Sequence, residues 1–316
     1  MFWFLLGFAT VLMVGWVCIY TFLQCFYSPK NRVEDPYKLI EGEQYEKLAH
    51  VITECTRVMD KAPCQWVSVT SKDGLTLHGR YYHTRDNAPT AIVFHGYKSS
   101  ALRDGCGGFA LSRALGFNIL VPDQRAHARS EGTVISFGIM ERWDCLSWIE
   151  YVNQRFGSDL PILLSGLSMG AATVLMAADL PLPENVVGIM ADCPYSSPAG
   201  IIRKVCSERG FPEKLVFPFI RLSARLFGGF SLTETSAKKA VTNAKVPILL
   251  LHGDDDRFVP CDMSRGVAQS CASPVQLEIF PGAGHGLCYM TDPERYEAAA
   301  LAFFKSLPAL APYLEE

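Results

Sequence analysis

Ser168 stands at the centre of Gly166-Leu167-Ser168-Met169-Gly170, between an apolar run and an alanine-rich stretch. A serine in Gly-x-Ser-x-Gly at a strand-to-helix junction sits on a sharp turn that exposes its hydroxyl. Gly166 and Gly170 carry no side chain, so strand and helix can approach closely around it. A serine hydroxyl is a weak nucleophile at neutral pH. It needs a base for its proton, and the base needs an acid to hold its tautomer. The base expected is His285, in the glycine-rich stretch Pro281-Gly282-Ala283-Gly284-His285-Gly286. The other histidines have plainer readings: His50 in a helix, His78 and His83 on a hairpin, His95 shaping a loop, His252 before a turn. His127, in a loop, is a minor candidate. Asp256 is the favoured acid, three residues before Val259-Pro260, and Asp192 is its rival. Asp254 and Asp255 read as solvated or capping residues. The oxyanion of a tetrahedral intermediate needs donors. Those expected are the backbone N–H groups of Met169 and Tyr97, the latter within His95-Gly96-Tyr97-Lys98-Ser99.

These residues need a scaffold, and the hydropathy pattern supplies one. Gln65 to Tyr82 reads as a hairpin turning at Asp73-Gly74. Largely apolar strands follow at 91–94, 118–122, 161–165, 186–191, 247–251 and 275–280, with helices expected at about 102–115, 138–156 and 293–306. Apolar strands alternating with helices imply a parallel sheet covered on both faces. Ligands bind such sheets at the carboxyl ends of strands, where Tyr97, Ser168, Asp256 and His285 all fall. Residues 194–245 break the alternation with many aromatics and read as a helical cap over those ends.

At this point the chain resembles the α/β-hydrolase superfamily, nearest to bacterial serine hydrolases that share features with prolyl-oligopeptidase-like and serine-aminopeptidase-like enzymes. The matching pieces are His95-Gly96-Tyr97, Asp123-x-Arg125-x-His127-x-x-Ser130-x-Gly132, Gly166-Leu167-Ser168-Met169-Gly170, Asp256-x-x-Val259-Pro260 and Gly284-His285, across about residues 66–306. Ala128 departs from the pattern, which usually has Gly there. The resemblance implies an α/β-hydrolase fold, with a mostly parallel doubly wound sheet. It also implies acyl transfer to water through an acyl-enzyme, without cofactor or metal. It leaves the acyl group open, because one fold hosts many chemistries.

The 316 residues suffice for one large α/β domain with insertions. A formal net charge of -3 gives no basic field for nucleic acid. Eleven cysteines without zinc spacing read as free thiols in a reducing compartment. The first charged side chain is Lys30, and Phe2 to Phe22 is nearly all apolar, which reads as an uncleaved membrane-spanning helix. Lys30 and Arg32 on its carboxyl side place the main domain in the cytoplasm, and Glu34 and Asp35 weaken this little. The organisation expected is an anchor at 1–28, a linker and helix at 29–63, and a hydrolase domain at 64–316 with its cap at about 194–245. The activity expected is hydrolysis of carboxylic esters, on a small-molecule or lipid-like acyl substrate. A peptidase or amidase of prolyl or aminopeptidase type is the alternative, and a non-catalytic membrane-associated binding module is the third.

Overall fold

The structure is a computed structural model that describes residues 1–30 and 35–314, so Arg32 and Glu34 lie outside the described residues. It opens with one long helix, α1 (Phe2–Cys25), followed by α2 (Glu43–Lys47) and α3 (Ala49–Lys61). The helix expected within 29–63 is therefore two helices, with a break at Leu48. Next come β1 (Gln65–Thr70), β2 (Thr76–Tyr82), β3 (Thr90–Phe94), α4 (Ala101–Ala114), β4 (Asn118–Pro122), α5 (Glu141–Phe156), β5 (Ile162–Leu167), α6 (Met169–Ala177) and β6 (Val186–Asp192). Three helices then interrupt the alternation: α7 (Pro198–Glu208), α8 (Glu213–Gly228) and α9 (Ala237–Ala240). The chain finishes with β7 (Ile248–Gly253), α10 (Asp262–Ala268), β8 (Val275–Phe280), α11 (Cys288–Thr291) and α12 (Pro293–Lys305).

The eight strands form one sheet in the order β1-β2-β4-β3-β5-β6-β7-β8. β1 and β2 pair antiparallel, β2 joins β4 antiparallel, and every later pairing is parallel. The inner parallel strands are largely apolar because both faces are covered, whereas the edge strand β8 carries Gln276 and Glu278. In β4, Leu120 packs with Trp148 and Leu164 on one face, while Ile119 and Val121 pack with Met59 and Phe109 on the other. Beyond β5, Leu163 joins Phe303 and Phe304 of α12.

Local chemistry sets the helix ends. Ser197 caps α7 by accepting the Gly200 amide at 3.0 Å, with Pro198 at the first helical position. Asp292 does the same for α12 with the Arg295 amide at 3.0 Å, followed by Pro293. α8 stops at Gly229, whose φ of 72° is the left-handed cap that glycine adopts without a Cβ clash.

The last turns of α1 do not hang free. Phe22 meets Phe227 of α8 at 5.6 Å between ring centroids, and Phe26 meets Phe137 and Phe230 edge-on. Backbone bonds from Ile135 to the Phe26 carbonyl (2.8 Å) and from Ser28 to the Thr133 carbonyl (2.9 Å) fasten the chain as it leaves the helix. Most of the remainder of α1 is exposed, including Phe4, Leu12 and Trp16.

Candidate active site

Ser168 links β5 directly to α6 with φ 55° and ψ −110°. A non-glycine residue held there is strained and persists only where its surroundings over-determine it. The two glycines make the turn possible. A Cβ on Gly166 would lie 2.3 Å from the Gly170 carbonyl carbon, and one on Gly170 would lie 2.0 Å from the Phe94 carbonyl oxygen. Both obstacles are backbone and cannot swing aside.

The carboxyl ends of β7 and β8 bring two more side chains to the serine. His285 Nε2 lies 2.9 Å from Ser168 Oγ, and His285 Nδ1 lies 2.7 Å from Asp256 Oδ2. An ionised carboxylate can only accept, so Nδ1 carries the ring proton and donates it. Nε2 is then bare and accepts from the serine hydroxyl. The structure thus brings together Ser168, Asp256 and His285, three residues singled out in the sequence.

Asp256 is itself held from several directions. Its Oδ1 accepts the amides of Phe258 (2.9 Å) and Val259 (2.7 Å). A second histidine, His252, reaches Oδ2 at 3.3 Å. Burial opposes its ionisation, but the bonds from His252 and His285, the charge interaction with His285 and the Val259 amide outweigh burial. They hold the carboxyl well below the usual range. His252 is fixed in turn by Ser264 Oγ on Nδ1 (2.7 Å) and the Val259 carbonyl on Nε2 (2.8 Å). Sequence reasoning missed this residue. The available signal was its place at the end of β7, four positions before the acid.

Asp192, the rival acid, ends β6 and is buried, with Oδ1 making no hydrogen bond. Burial pushes its carboxyl up to about 6. Asp254 accepts the Gly282 amide at 2.6 Å and Asp255 pairs with Arg257 and Gln44, so neither reaches the imidazole. Cys193 lies within 4.8 Å of the ligand atoms of Asp256 and His285. Its thiol is held well above the ordinary value by burial, and both ring nitrogens of His285 are already engaged. The cluster is thus a hydrogen-bonded triad with a neutral thiol beside it, a poor donor set for a metal.

The loop after β3 approaches the serine from the other side. A Cβ on Gly96 would stand 3.5 Å from Ser168 Cβ. The amides flanking Tyr97 are fixed: Gly96 N–H donates to Asp104 Oδ2 (2.8 Å) and Lys98 N–H to His127 Nε2 (3.0 Å). Lys98 itself takes φ 50°. His95 accepts the Gln124 amide on Nε2 (2.9 Å) and donates Nδ1–H to the Gly96 carbonyl (2.9 Å). The two imidazoles meet edge-on at 4.7 Å. His95 and His127 therefore hold the shape of this loop. The Tyr97 ring stacks on Phe137 at 4.9 Å, and its hydroxyl donates to the Cys25 carbonyl at 2.9 Å. The other candidate donor, the Met169 amide, opens α6, where the first amides of a helix have no intrahelical partner.

Arg125 and Ser130 of the Asp123-x-Arg125-x-His127 segment serve the scaffold. Arg125 pairs with Asp144 through Nε and Nη2 (2.6 Å each) and with Asp73 (2.9 and 3.0 Å), tying the β1–β2 turn to α5. Ser130 bridges the His78 amide and the Asp123 carbonyl.

Two cavities meet at Ser168, and both include Tyr97 and Phe258. One, about 360 Å³, is walled in part by Glu41, Tyr45, Ser99 and Arg103. Tyr45 of α2 also donates to the His285 carbonyl (2.7 Å), a contribution the sequence did not signal. The other, about 380 Å³, lies between α1, α7 and α8, and both are lined mostly by apolar groups.

Comparison with known proteins agrees with this fold. Residues 77–299 match the model of the alpha/beta hydrolase family. The chain is similar to YqkD of Bacillus subtilis, at 24% identity over 88% of this chain and 86% of that one. It is also similar to the bifunctional esterase/perhydrolase DCH of Acinetobacter calcoaceticus, at 23% identity over 75% and 99%. Among solved structures, the Pyrococcus furiosus esterase Pf2001 superposes with a TM-score of 0.63 at 20% identity, covering 87% of this chain and 99% of that chain. With strand-end loops converging on a strained serine and a family match over most of its length, this chain belongs to the alpha/beta hydrolase family and is a hydrolase.

Proposed function

We propose that the protein is a membrane-anchored serine esterase. The observation that carries the reading is the unbroken Ser168–His285–Asp256 hydrogen-bond chain at the meeting point of two cavities, both lined mostly by apolar groups. Ser168 Oγ attacks the ester carbonyl while His285 Nε2 takes its proton. Asp256 stabilises the imidazolium that forms. The amides of Tyr97 and Met169 receive the oxyanion. The intermediate collapses with loss of the alcohol, which leaves with the proton from His285. Water then attacks the acyl-enzyme, gives its proton to His285, and the acid departs as Ser168 is regenerated. The esterase/perhydrolase of Acinetobacter calcoaceticus, similar over three quarters of the chain, supports ester chemistry.

The peptidase alternative needs an acidic grip on a substrate amine. Glu208, Glu213 and Glu234 are paired with Lys204, Arg203 and Arg142, and none lines either cavity, so the peptidase reading would have to rest on Glu41, which lines the first. The anchor rests on α1, 24 residues long, whose most apolar stretch has a mean hydropathy of 2.2 and is only 6% buried. Lys30 on its carboxyl side favours a cytoplasmic catalytic domain. The test is turnover of p-nitrophenyl butyrate by the full chain in detergent. Ser168→Ala should lower kcat by about 10⁴-fold or more. Equal turnover by the two proteins would remove Ser168 from the nucleophile's role.

A further inference from the structure

The cavity between α1, α7 and α8 is not enclosed by the hydrolase domain alone. One wall is the last part of α1: Val17, Tyr20, Thr21 and Gln24 recur at helical spacing and face Ile202 and Val205 of α7 across the cavity. At its inner end the cavity reaches Ser168. There the hydroxyl of Tyr97, the residue whose amide is assigned to the oxyanion, is bonded to the Cys25 carbonyl of the same helix. From Cys25 back to Val17 the wall runs about 12 Å along the helix axis, away from the serine.

Helix length decides where that outer end lies. α1 has 24 residues, about 36 Å at 1.5 Å per residue, against about 30 Å of hydrocarbon. If α1 spans a bilayer, no more than about four of its residues lie outside the hydrocarbon, and tilt reduces that number. Val17 then sits at hydrocarbon depth. The cavity mouth beside it opens into the acyl region of the membrane.

α8 points the same way. It packs on α1 through Phe227 and Phe22, yet leaves Leu215, Leu222 and Leu226 exposed. Arg221 and Arg225 are exposed on the same helix. A stripe of leucines beside arginines, held against a spanning helix, suits an interfacial position on an anionic leaflet.

We propose that α1 is a wall of the acyl-binding channel, and that the substrate is a long-acyl ester lipid drawn sideways from the bilayer. The chain slides along α1 from Val17 towards Cys25, and its carbonyl arrives at Ser168. The alcohol half occupies the second cavity, whose Glu41, Ser99 and Arg103 give it a polar wall. The anchor thus serves substrate selection as well as attachment. This inference rests on the esterase reading of the same serine.

The test uses the full chain in phosphatidylcholine nanodiscs, with p-nitrophenyl palmitate and p-nitrophenyl butyrate as substrates. Val17→Trp fills the channel from α1 and Val205→Trp fills it from α7. Ile19→Trp, on the exposed surface of α1, is the control. Each channel variant should lower kcat/KM for palmitate by about tenfold or more while leaving butyrate within about twofold. The control should change neither. An unchanged chain-length preference in both channel variants would overturn the proposal, as would equal losses on the two esters. Wild-type turnover of butyrate without palmitate would also overturn it and leave the esterase reading standing. Wild-type protein inactive on both esters would remove that reading, and this inference with it.

Discussion

The strand-end loops and the apolar flank formed by α1, α7 and α8 meet at Ser168 but are built by opposite means. In the loops, direction is fixed by hydrogen bonds to identified partners. Asp256 takes two amides and two imidazoles, and His95 is used at both nitrogens. Lys98, Ala126, Ala128, Ser168 and Cys193 all take positive φ there, whereas in α7 and α8 no described non-glycine residue does. The flank is held by ring and aliphatic contacts such as Phe22 on Phe227. Acyl transfer needs reacting atoms placed to a fraction of an ångström, which directional bonds provide. Accommodating an acyl chain needs only shape, which non-directional packing provides.

The comparison would break first at the acid. If the loops are over-determined around Asp256, Asp256→Asn should lower kcat for butyrate esters by about 10³–10⁴-fold, because the imidazole loses the partner that sets its tautomer. Asp192→Asn should change kcat by less than about threefold, since that carboxyl makes no hydrogen bond to His285. Steady-state kinetics on the two variants decides it. The reverse order would move the acid to β6 and leave the His252–Asp256 pair as scaffold.

The next effect is read in pH. Burial pushes the His95 imidazole down to about 4, so the folded protein keeps it neutral where the unfolded chain, with an ordinary histidine value near 6.5, does not. The stabilisation is complete above about pH 6.5 and is lost as pH falls towards 4, amounting to roughly 3 kcal/mol across that window. Protonation at Nε2 would also expel the Gln124 amide and disturb the loop that carries Tyr97. Urea unfolding of wild type and His95→Gln at intervals from pH 7.5 to 4 tests this. The wild-type curve should steepen below pH 6.5, and the variant's should be flatter. Parallel curves would mean that the loop tolerates a charged imidazole.

The same contrast explains what was legible in the sequence. The hairpin, the six later strands and helices α4, α5 and α12 are visible because their residues repeat with the period of the element they form. Ser168 and His285 are visible because their chemistry needs glycines at fixed offsets. His252 is not, since a histidine ending a buried strand looks the same whether it faces a carboxylate or a cavity. The short α10, only seven residues long, has too few turns to show a period. The docking of α1 on α8 leaves no local trace either. An apolar helix that spans a bilayer and one that also walls a pocket have the same composition, and only the tertiary structure distinguishes them.

The smallest effect concerns Ala128, the departure from the family pattern. It takes φ 40°, a left-handed conformation that costs an L-residue about 1 kcal/mol or more. Glycine adopts it freely but loses more chain entropy on folding, so Ala128→Gly should gain only about 0.5–1 kcal/mol in chemical denaturation. Its activity is the sharper reading. Ala128 follows His127, which accepts the Lys98 amide one residue beyond Tyr97. If the strain is incidental, kcat stays within about twofold while stability rises. If kcat falls as stability rises, the strain is what presses His127 against the oxyanion loop.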